Sequence, residues 1–169
     1  MSRTPIETLK AYFASFRDAD WREQIPELFH PDIVYLNFAS EEISPETKQA
    51  LPWAGTWRGH DGVIAFQEML NDNFDIRGFE DPDYFENGDE VAVFGVLRFT
   101  AAPTARDVDS DFAVRATVRD GRISRYHFYE DTFAIAHAFR RDGQWKVENG
   151  EQGAPPRFVP SSRNNGGEV

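Results

Sequence analysis

The chain has 169 residues, of which 40% are apolar and 14% aromatic, and its formal net charge at pH 7 is −11. This balance is typical of one globular domain with a sizeable core. The negative charge argues against nucleic acid and anionic membranes as partners, because phosphate recognition needs clustered Lys and Arg. The chain has no cysteine, which excludes disulfides and thiolate chemistry. It also lacks the ~20-residue apolar run of a membrane span, so we expect a soluble, cytoplasmic protein.

Three helices are predicted in the first half of the chain. Thr4 and the residues after it form a capping box with proline at the first helical position, and apolar residues recur at helical spacing over 5–17. Asp20 opens a second helix. A third, over about 60–73, follows Gly59 and carries Val63, Phe66 and Leu70 on one stripe.

A strand and a long connection separate the second and third helices. The segment "IVYLNF" (33–38) is rich in β-branched and aromatic residues and predicts a strand. Residues 39–59 follow, with one short helix capped by Ser44. Connections of this length act as lids or binding loops in compact domains, so Trp53 and Trp57 are candidates for an apolar lid over a pocket; the alternative is simple anchoring of the loop.

The second half of the chain predicts an antiparallel sheet. Strands are predicted at 78–86, 91–101, 109–119 and 122–130, with hairpin turns at 87–89 and 120–121. Residues 131–139 suit either a short helix capped by Asp131 or a further strand, and we favour the helix. Residues 149–169 are rich in Pro, Gly, Ser and Asn and predict a flexible or surface-draped tail after a domain spanning 1–148. Helices followed by consecutive strands indicate an α+β fold with a pocket between the layers.

The order of these elements, with "LPWAGTWRGHDGVIAFQEML" and "VRDGRISRYHFYEDT", resembles the nuclear transport factor 2-like superfamily over about 5–140. Within it, the SnoaL-like and ketosteroid isomerase-related branch is the nearest, with some likeness to the limonene-epoxide-hydrolase type. The resemblance implies a cone-shaped α+β barrel, with three N-terminal helices on a curved, mostly antiparallel mixed sheet, often as a homodimer. Its members include isomerases, dehydratases, cyclases, epoxide hydrolases and non-catalytic proteins.

Some functional residues of these relatives have counterparts here. Tyr12 matches the enolate-stabilising tyrosine of the steroid isomerases. Their general base corresponds to Asn37, whose amide cannot take a proton from carbon, and their second oxyanion donor falls at Ser110 or Asp111. Tyr35 and Asn37 reproduce the Tyr-x-Asn pair that holds water in the epoxide-hydrolase type.

Other positions depart from these relatives. Val93 and Gly95 stand where the epoxide-hydrolase type has Arg and Asp in a central strand. Phe128 stands where that type and the SnoaL-type cyclases keep an acidic residue, and Val114 replaces a histidine of the cyclases. The carboxylate on which the epoxide-hydrolase and cyclase mechanisms depend is therefore absent here, with Phe128 in its place.

Strand alternation identifies the acid that remains available. If Phe128 faces the cavity, Tyr126 and Glu130 share that face, whereas His127 and Asp131 point away. Burial among aromatic side chains raises the pKa of a carboxyl group and suits acid–base chemistry near neutrality. Two alternatives remain open. A one-residue shift in register brings His127 and Asp131 inside, or Glu130 lies at the rim, hydrated or paired with Arg125 or Arg98.

No metal or cofactor site is predicted, because the four histidines (30, 60, 127 and 137) have no ligand spacing and 107–118 fails as a calcium loop. We therefore expect a cofactor-free acid/base enzyme acting on a small, apolar, oxygenated molecule. Glu130 would move the proton, while Tyr12, Tyr35 and Asn37 hold oxygen or water. The alternative is a non-catalytic binding or assembly domain. The expected substrate-binding residues are Trp53, Trp57, Phe66, Val93, Val114, Tyr126 and Phe128.

Overall fold

The computed structural model describes residues 3–38 and 43–143, which form five helices and six strands. The order of elements is that expected of an α+β fold, with helices first and consecutive strands later. In chain order the elements are α1 (Pro5–Ser15), α2 (Trp21–Leu28), β1 (Phe29–Asn37), α3 (Pro45–Ala50), β2 (Gly55–Arg58), α4 (Gly59–Asn73), β3 (Phe74–Asn87), β4 (Glu90–Ala101), β5 (Arg106–Arg119), β6 (Arg122–Glu130) and α5 (Thr132–Phe139).

All six strands form one mixed sheet in the order β2-β1-β6-β5-β4-β3. Only β1 and β6 run parallel; the other neighbours are antiparallel. The parallel register sets Asn37 beside Phe128 at the carboxyl ends of both strands. The sheet therefore brings a residue near the start of the chain next to the end of β6, where Glu130 lies.

The predicted caps begin the helices. The Thr4 hydroxyl accepts from the Glu7 N–H, and the Glu7 carboxylate accepts from the Thr4 N–H at 2.8 Å, so both halves of the capping box are formed. The Ser44 hydroxyl accepts from the Thr47 N–H and so caps α3. The segment 132–139 is a helix, so the open choice between helix and strand is settled in favour of the helix.

The apolar core lies between the helices and one face of the sheet. Leu9 of α1 and Val63 of α4 are fully buried against it, as are Phe99 of β4 and Ile123 of β6. No helix within the described ranges is long and apolar enough to cross a membrane.

The strands are longer at their starts than the sequence predicts. β1 begins at Phe29 rather than 33, and β3 at Phe74 rather than 78. Two register shifts interrupt the pairing of β3 with β4, one between Ile76 and Gly78 and one between Glu80 and Asp83. Each shift breaks the alternation on which a strand prediction depends. The predicted tail at 149–169 and its boundary lie outside the described residues.

Candidate active site

A cavity opens between the helices and the concave face of the sheet. Its lining is almost entirely aromatic and aliphatic, and Asn37 and Glu130 are the lining residues that carry an amide and a carboxyl group. The space is narrow: the centre of a water-sized sphere can occupy about 30 Å³ of it, enough for one or two waters. The lining residues are Phe16, Tyr35, Asn37, Trp53, Phe66, Leu70, Phe74, Ile76, Phe79, Leu97, Tyr126, Phe128 and Glu130.

The orientation of β6 decides which of its polar residues reach this cavity. Tyr126, Phe128 and Glu130 line it, as the predicted alternation requires. His127 points to the other side, where its Nε2 lies 2.8 Å from the Phe38 carbonyl oxygen and its Nδ1 lies 2.8 Å from the Tyr129 hydroxyl. The predicted strand register is therefore confirmed, and His127 is excluded from the cavity.

The environment of Glu130 favours the neutral form of its carboxyl group. Glu130 as a residue is half-buried at the end of β6, but its carboxyl group lies among apolar side chains of the cavity. This desolvation raises the pKa of Glu130 to about 8, and a hydrogen bond from the Asn37 amide opposes the shift only in part. At pH 7 the protonated form of this carboxyl group is therefore favoured. Arg98, a candidate ion-pair partner in the rim interpretation, pairs with Glu80 and Asp109 instead.

The neighbouring acid, Asp131, has a structural role. Its Oδ1 accepts hydrogen bonds from the N–H groups of Phe133 and Ala134 at 3.1 and 3.0 Å, and so caps α5. Its own N–H donates to the hydroxyl of Ser110. Ser110, which the resemblance placed near an oxyanion donor, is thus engaged with backbone and does not line the cavity.

Three tyrosine hydroxyls form a connected group at one side of the cavity. The hydroxyls of Tyr12 and Tyr35 are 2.9 Å apart, and Tyr35 also hydrogen-bonds Tyr126, whose ring stacks on it with centroids at 4.5 Å. Burial raises the pKa of all three phenols, so they remain protonated donors. Tyr35 and Tyr126 line the cavity, whereas Tyr12 does not and contacts both of these residues from outside the lining.

Two phenylalanine rings fill the region around Gly95 and Phe128, the positions where the epoxide-hydrolase type keeps acidic groups. Phe128 stacks on Phe112 with ring centroids 5.3 Å apart and planes 15° apart. The Phe112 ring also covers Gly95, where a Cβ atom would come within 2.9 Å of it. Both acidic positions of the epoxide-hydrolase type, Gly95 and Phe128, are therefore filled by or covered with aromatic rings. Glu130, one pleat beyond Phe128, is the carboxyl group left in the lining.

The structure brings some predicted substrate-binding residues to the cavity and leaves others out. Trp53 and Phe66 line it, as do Tyr126 and Phe128. Trp57 does not: its Nε1–H donates to the Trp53 carbonyl oxygen at 3.2 Å, so it anchors the connection rather than forming a lid.

Val93 and Val114 are also absent from the lining. They lie directly opposite each other in β4 and β5 and are buried in the sheet core. Leu97, two pleats further along β4, lines the cavity instead.

Several lining residues were not predicted. Phe74 and Ile76 alternate at the start of β3 and are detectable in principle, but the predicted strand began after them. Phe79 lies inside with Ile76 although the two are three residues apart, because the register shift between Ile76 and Gly78 changes the alternation. Such a shift has no clear sequence signal. The other unpredicted lining residues are Phe16, Leu70 and Leu97.

A mixed sheet packed against helices over an apolar cavity defines the class of small-molecule pocket proteins with the NTF2-like fold. The sequence profile of the SnoaL-like domain matches residues 9–126. The chain therefore belongs to the SnoaL-like family, in agreement with the predicted resemblance.

Similar proteins include fungal and bacterial members. Patulin biosynthesis cluster protein F of Penicillium expansum is 28% identical over 149 residues, covering 86% of this chain and 73% of that protein. Patulin synthesis protein F of Aspergillus clavatus is also 28% identical, over 148 residues, with the same coverage. The crystal structure of TerC with polyporic acid superposes with a TM-score of 0.64 at 29% identity, covering 80% of this chain and 98% of that one. An NTF2-like protein from Burkholderia xenovorans has a TM-score of 0.67 at 23% identity, covering 80% and 95%, and supports the fold alone.

Proposed function

We propose that this protein is an acid/base enzyme that moves a proton on a small oxygenated substrate, with Glu130 as the proton-transfer group. The observation that carries the proposal is a carboxyl group in an apolar cavity, with its pKa raised to about 8 and one amide donor beside it. A group that titrates near neutrality is able both to give and to take a proton there, and positioned transfer of this kind contributes about 10²- to 10⁴-fold in rate.

The surrounding polar groups have complementary roles. The Asn37 amide hydrogen-bonds the Glu130 carboxyl group and orients it. The hydroxyls of Tyr35 and Tyr126 are donors for a carbonyl, alkoxide or epoxide oxygen of the substrate. Tyr12 is a positioning residue that holds the Tyr35 hydroxyl. These side chains supply the whole proton transfer, so the proposed chemistry requires neither a metal nor an organic cofactor.

The substrate that suits this lining is a small, largely apolar molecule with at least one oxygen function. The aromatic walls favour a planar or ring-containing compound. The relatives named for patulin biosynthesis, and TerC with polyporic acid, support a small organic metabolite as ligand. Because the space is narrow, binding of such a ring requires side chains of the lining to move. The reaction is an isomerisation, dehydration, cyclisation or epoxide opening, all of which begin with proton transfer to oxygen or from carbon.

Proton transfer is measurable without knowing the natural substrate. Enolisable ketones and epoxides are incubated with the protein in D₂O, and deuterium uptake beside the carbonyl group or ring opening is followed by NMR. We expect the wild type to accelerate at least one reaction, and Glu130→Gln to lower that rate by about 10²- to 10⁴-fold. Glu27→Gln, an exposed glutamate on α2, is the matched control and should keep the wild-type rate. Equal rates for wild type and Glu130→Gln would refute the assignment.

A non-catalytic ligand-binding protein is the second candidate. Two features favour it: Phe128 stands where the epoxide-hydrolase and cyclase types keep an acid, and the Phe112 ring stacks on Phe128 and covers Gly95. It predicts that panel compounds bind and shift the NMR signals of cavity residues, while no compound is exchanged or opened faster than in buffer.

A further inference from the structure

Trp53 presents a polar group for which the described part of the chain offers no partner. The side chain is 2% exposed and its ring lines the cavity. Its Nε1–H finds no hydrogen-bond acceptor among the described residues. Trp57, four residues later, differs: its Nε1–H is satisfied by the Trp53 carbonyl oxygen. Buried donors without acceptors are rare in native proteins because they lose their hydration without compensation.

The indole of Trp53 is held firmly in position. Its ring packs edge-on to Phe74 with centroids 4.7 Å apart and against Phe139 at 4.6 Å. On the backbone side, the Trp57 indole bonds the Trp53 carbonyl, and the Lys48 ammonium donates to the next carbonyl, that of Ala54, at 2.8 Å. Lys48 also lies over the Trp57 ring, 4.7 Å from its centroid. A donor fixed from several directions loses little conformational freedom when a ligand binds.

We propose that the Nε1–H of Trp53 is a substrate-binding donor that selects ligands carrying a hydrogen-bond acceptor, such as a carbonyl, lactone or ether oxygen. The inference rests on the cavity assigned under the proposed function, but it assigns a specificity role that is separate from proton transfer by Glu130. An indole nitrogen donates and never accepts. A ligand without an acceptor at this point leaves the N–H unpaired, and sites of this kind reject such analogues.

The first test observes the indole proton directly. The chain has four tryptophans, so ¹⁵N-labelled protein gives at most four indole N–H signals, and Trp53→Phe identifies that of Trp53. The protein is titrated with acetophenone and with α-methylstyrene, in which a CH₂ group replaces the carbonyl oxygen. We expect acetophenone, but not α-methylstyrene, to move the Trp53 indole proton downfield, as a new hydrogen bond does. No downfield movement up to the solubility limit of acetophenone would overturn the proposal.

The second test compares affinities. Trp53→Phe keeps an aromatic ring but removes the donor, so it should reduce the preference for acetophenone over α-methylstyrene by about two- to tenfold, the value of one neutral hydrogen bond. Trp21→Phe removes an indole N–H on α2, outside the cavity lining, and should leave the preference unchanged. An unchanged preference in Trp53→Phe would contradict the assignment.

The two proposals are able to fail independently. Glu130→Gln should lower the rate of proton transfer by about 10²- to 10⁴-fold yet keep the acetophenone-dependent shift at Trp53. If Trp53→Phe does not fold, nuclear Overhauser contacts with Phe74 and Phe139 assign the wild-type signal, and the titration alone decides.

Discussion

At the scale of single residues, the position of Glu130 has an energetic cost that depends on pH. The folded chain raises the pKa of this carboxyl group from an ordinary value of 4.5 to about 8. Between these values the native state holds a proton that the unfolded state releases, so stability falls as the pH rises. A residue that serves only packing has no reason to be a carboxylic acid here, since burying it destabilises the protein at neutral and alkaline pH.

This linkage gives a prediction for Glu130→Gln. Glutamine keeps the shape and the hydrogen bonding but does not ionise, so the variant should gain stability relative to wild type as the pH rises from 4.5 to 8. Above pH 8 the difference in unfolding free energy between the variant and wild type should level off, on the order of a few kcal/mol. Urea unfolding at several pH values measures it.

The control for that measurement is Glu27→Gln, because Glu27 is exposed on α2. Its stability relative to wild type should change little over the same range. If the difference between Glu130→Gln and wild type is independent of pH, the carboxyl group of Glu130 is hydrated rather than buried.

The sequence predicted the orientation of this residue because the register shift in the pairing of β6 with β5 lies before Arg125, and β6 alternates regularly from Arg125 to Glu130. A two-residue repeat therefore carried the assignment from Phe128 to Glu130 without error. The same reasoning does not extend to Phe79, since β3 contains register shifts. The sequence predicted Tyr12, Tyr35 and Tyr126 as site residues but not the hydrogen bonds that connect their hydroxyls. These residues lie on three different elements, α1, β1 and β6, whose packing against one another has no local sequence signal.

At the scale of elements, α5 depends on its first residue. Asp131 accepts two backbone N–H bonds at the start of an eight-residue helix whose next residues include the exposed Phe133. Helices of this length have little stability of their own. The cap also fixes the chain directly after Glu130.

Removal of the cap should therefore be measurable. Asp131→Ala is expected to destabilise the protein by about 1 kcal/mol, whereas Asp131→Asn should restore most of the loss, since both Asp and Asn are effective caps. Urea unfolding at pH 7 gives both values. Equal losses in the Ala and Asn variants would show that the negative charge, rather than the capping oxygen, is what α5 requires.

Caps and turns made most elements predictable. Thr4, Ser44 and Asp131 each begin a helix as predicted, because a capping residue acts on backbone groups only two or three residues away. The starts of β1 and β3 were missed. Their first residues belong to the sheet through pairing with distant partners, Phe29 with Ile123 and Phe74 with Ala101, and no local pattern reports such pairing.

At the scale of the whole molecule, the outer face of the sheet is unusually apolar for an exposed surface. Phe85 is 59% exposed, Phe94 51% and Tyr129 38%, and the ring centroids of Phe85 and Phe94 are 5.9 Å apart. Together with Ala92 and Ala113 they line one shallow groove across β3, β4, β5 and β6, whose lining also includes the charged residues Glu86, Glu90 and Arg115. Contiguous exposed apolar surface of this kind marks interaction sites.

We expect this groove to form the interface of a homodimer, the assembly that the family resemblance also implies. Phe94→Glu places a charge at its centre and should shift the protein from dimer toward the 19.3 kDa monomer, because an unpaired charge in an apolar interface is costly.

Phe133→Glu is the matched control, since Phe133 is 60% exposed on α5 and lies outside the groove. Sedimentation equilibrium at micromolar concentration measures both. A monomeric wild type, or the same dissociation in both variants, would exclude the groove as the interface. A selective effect of Phe94→Glu would assign the outer face of the sheet to assembly and leave the inner face free for the ligand.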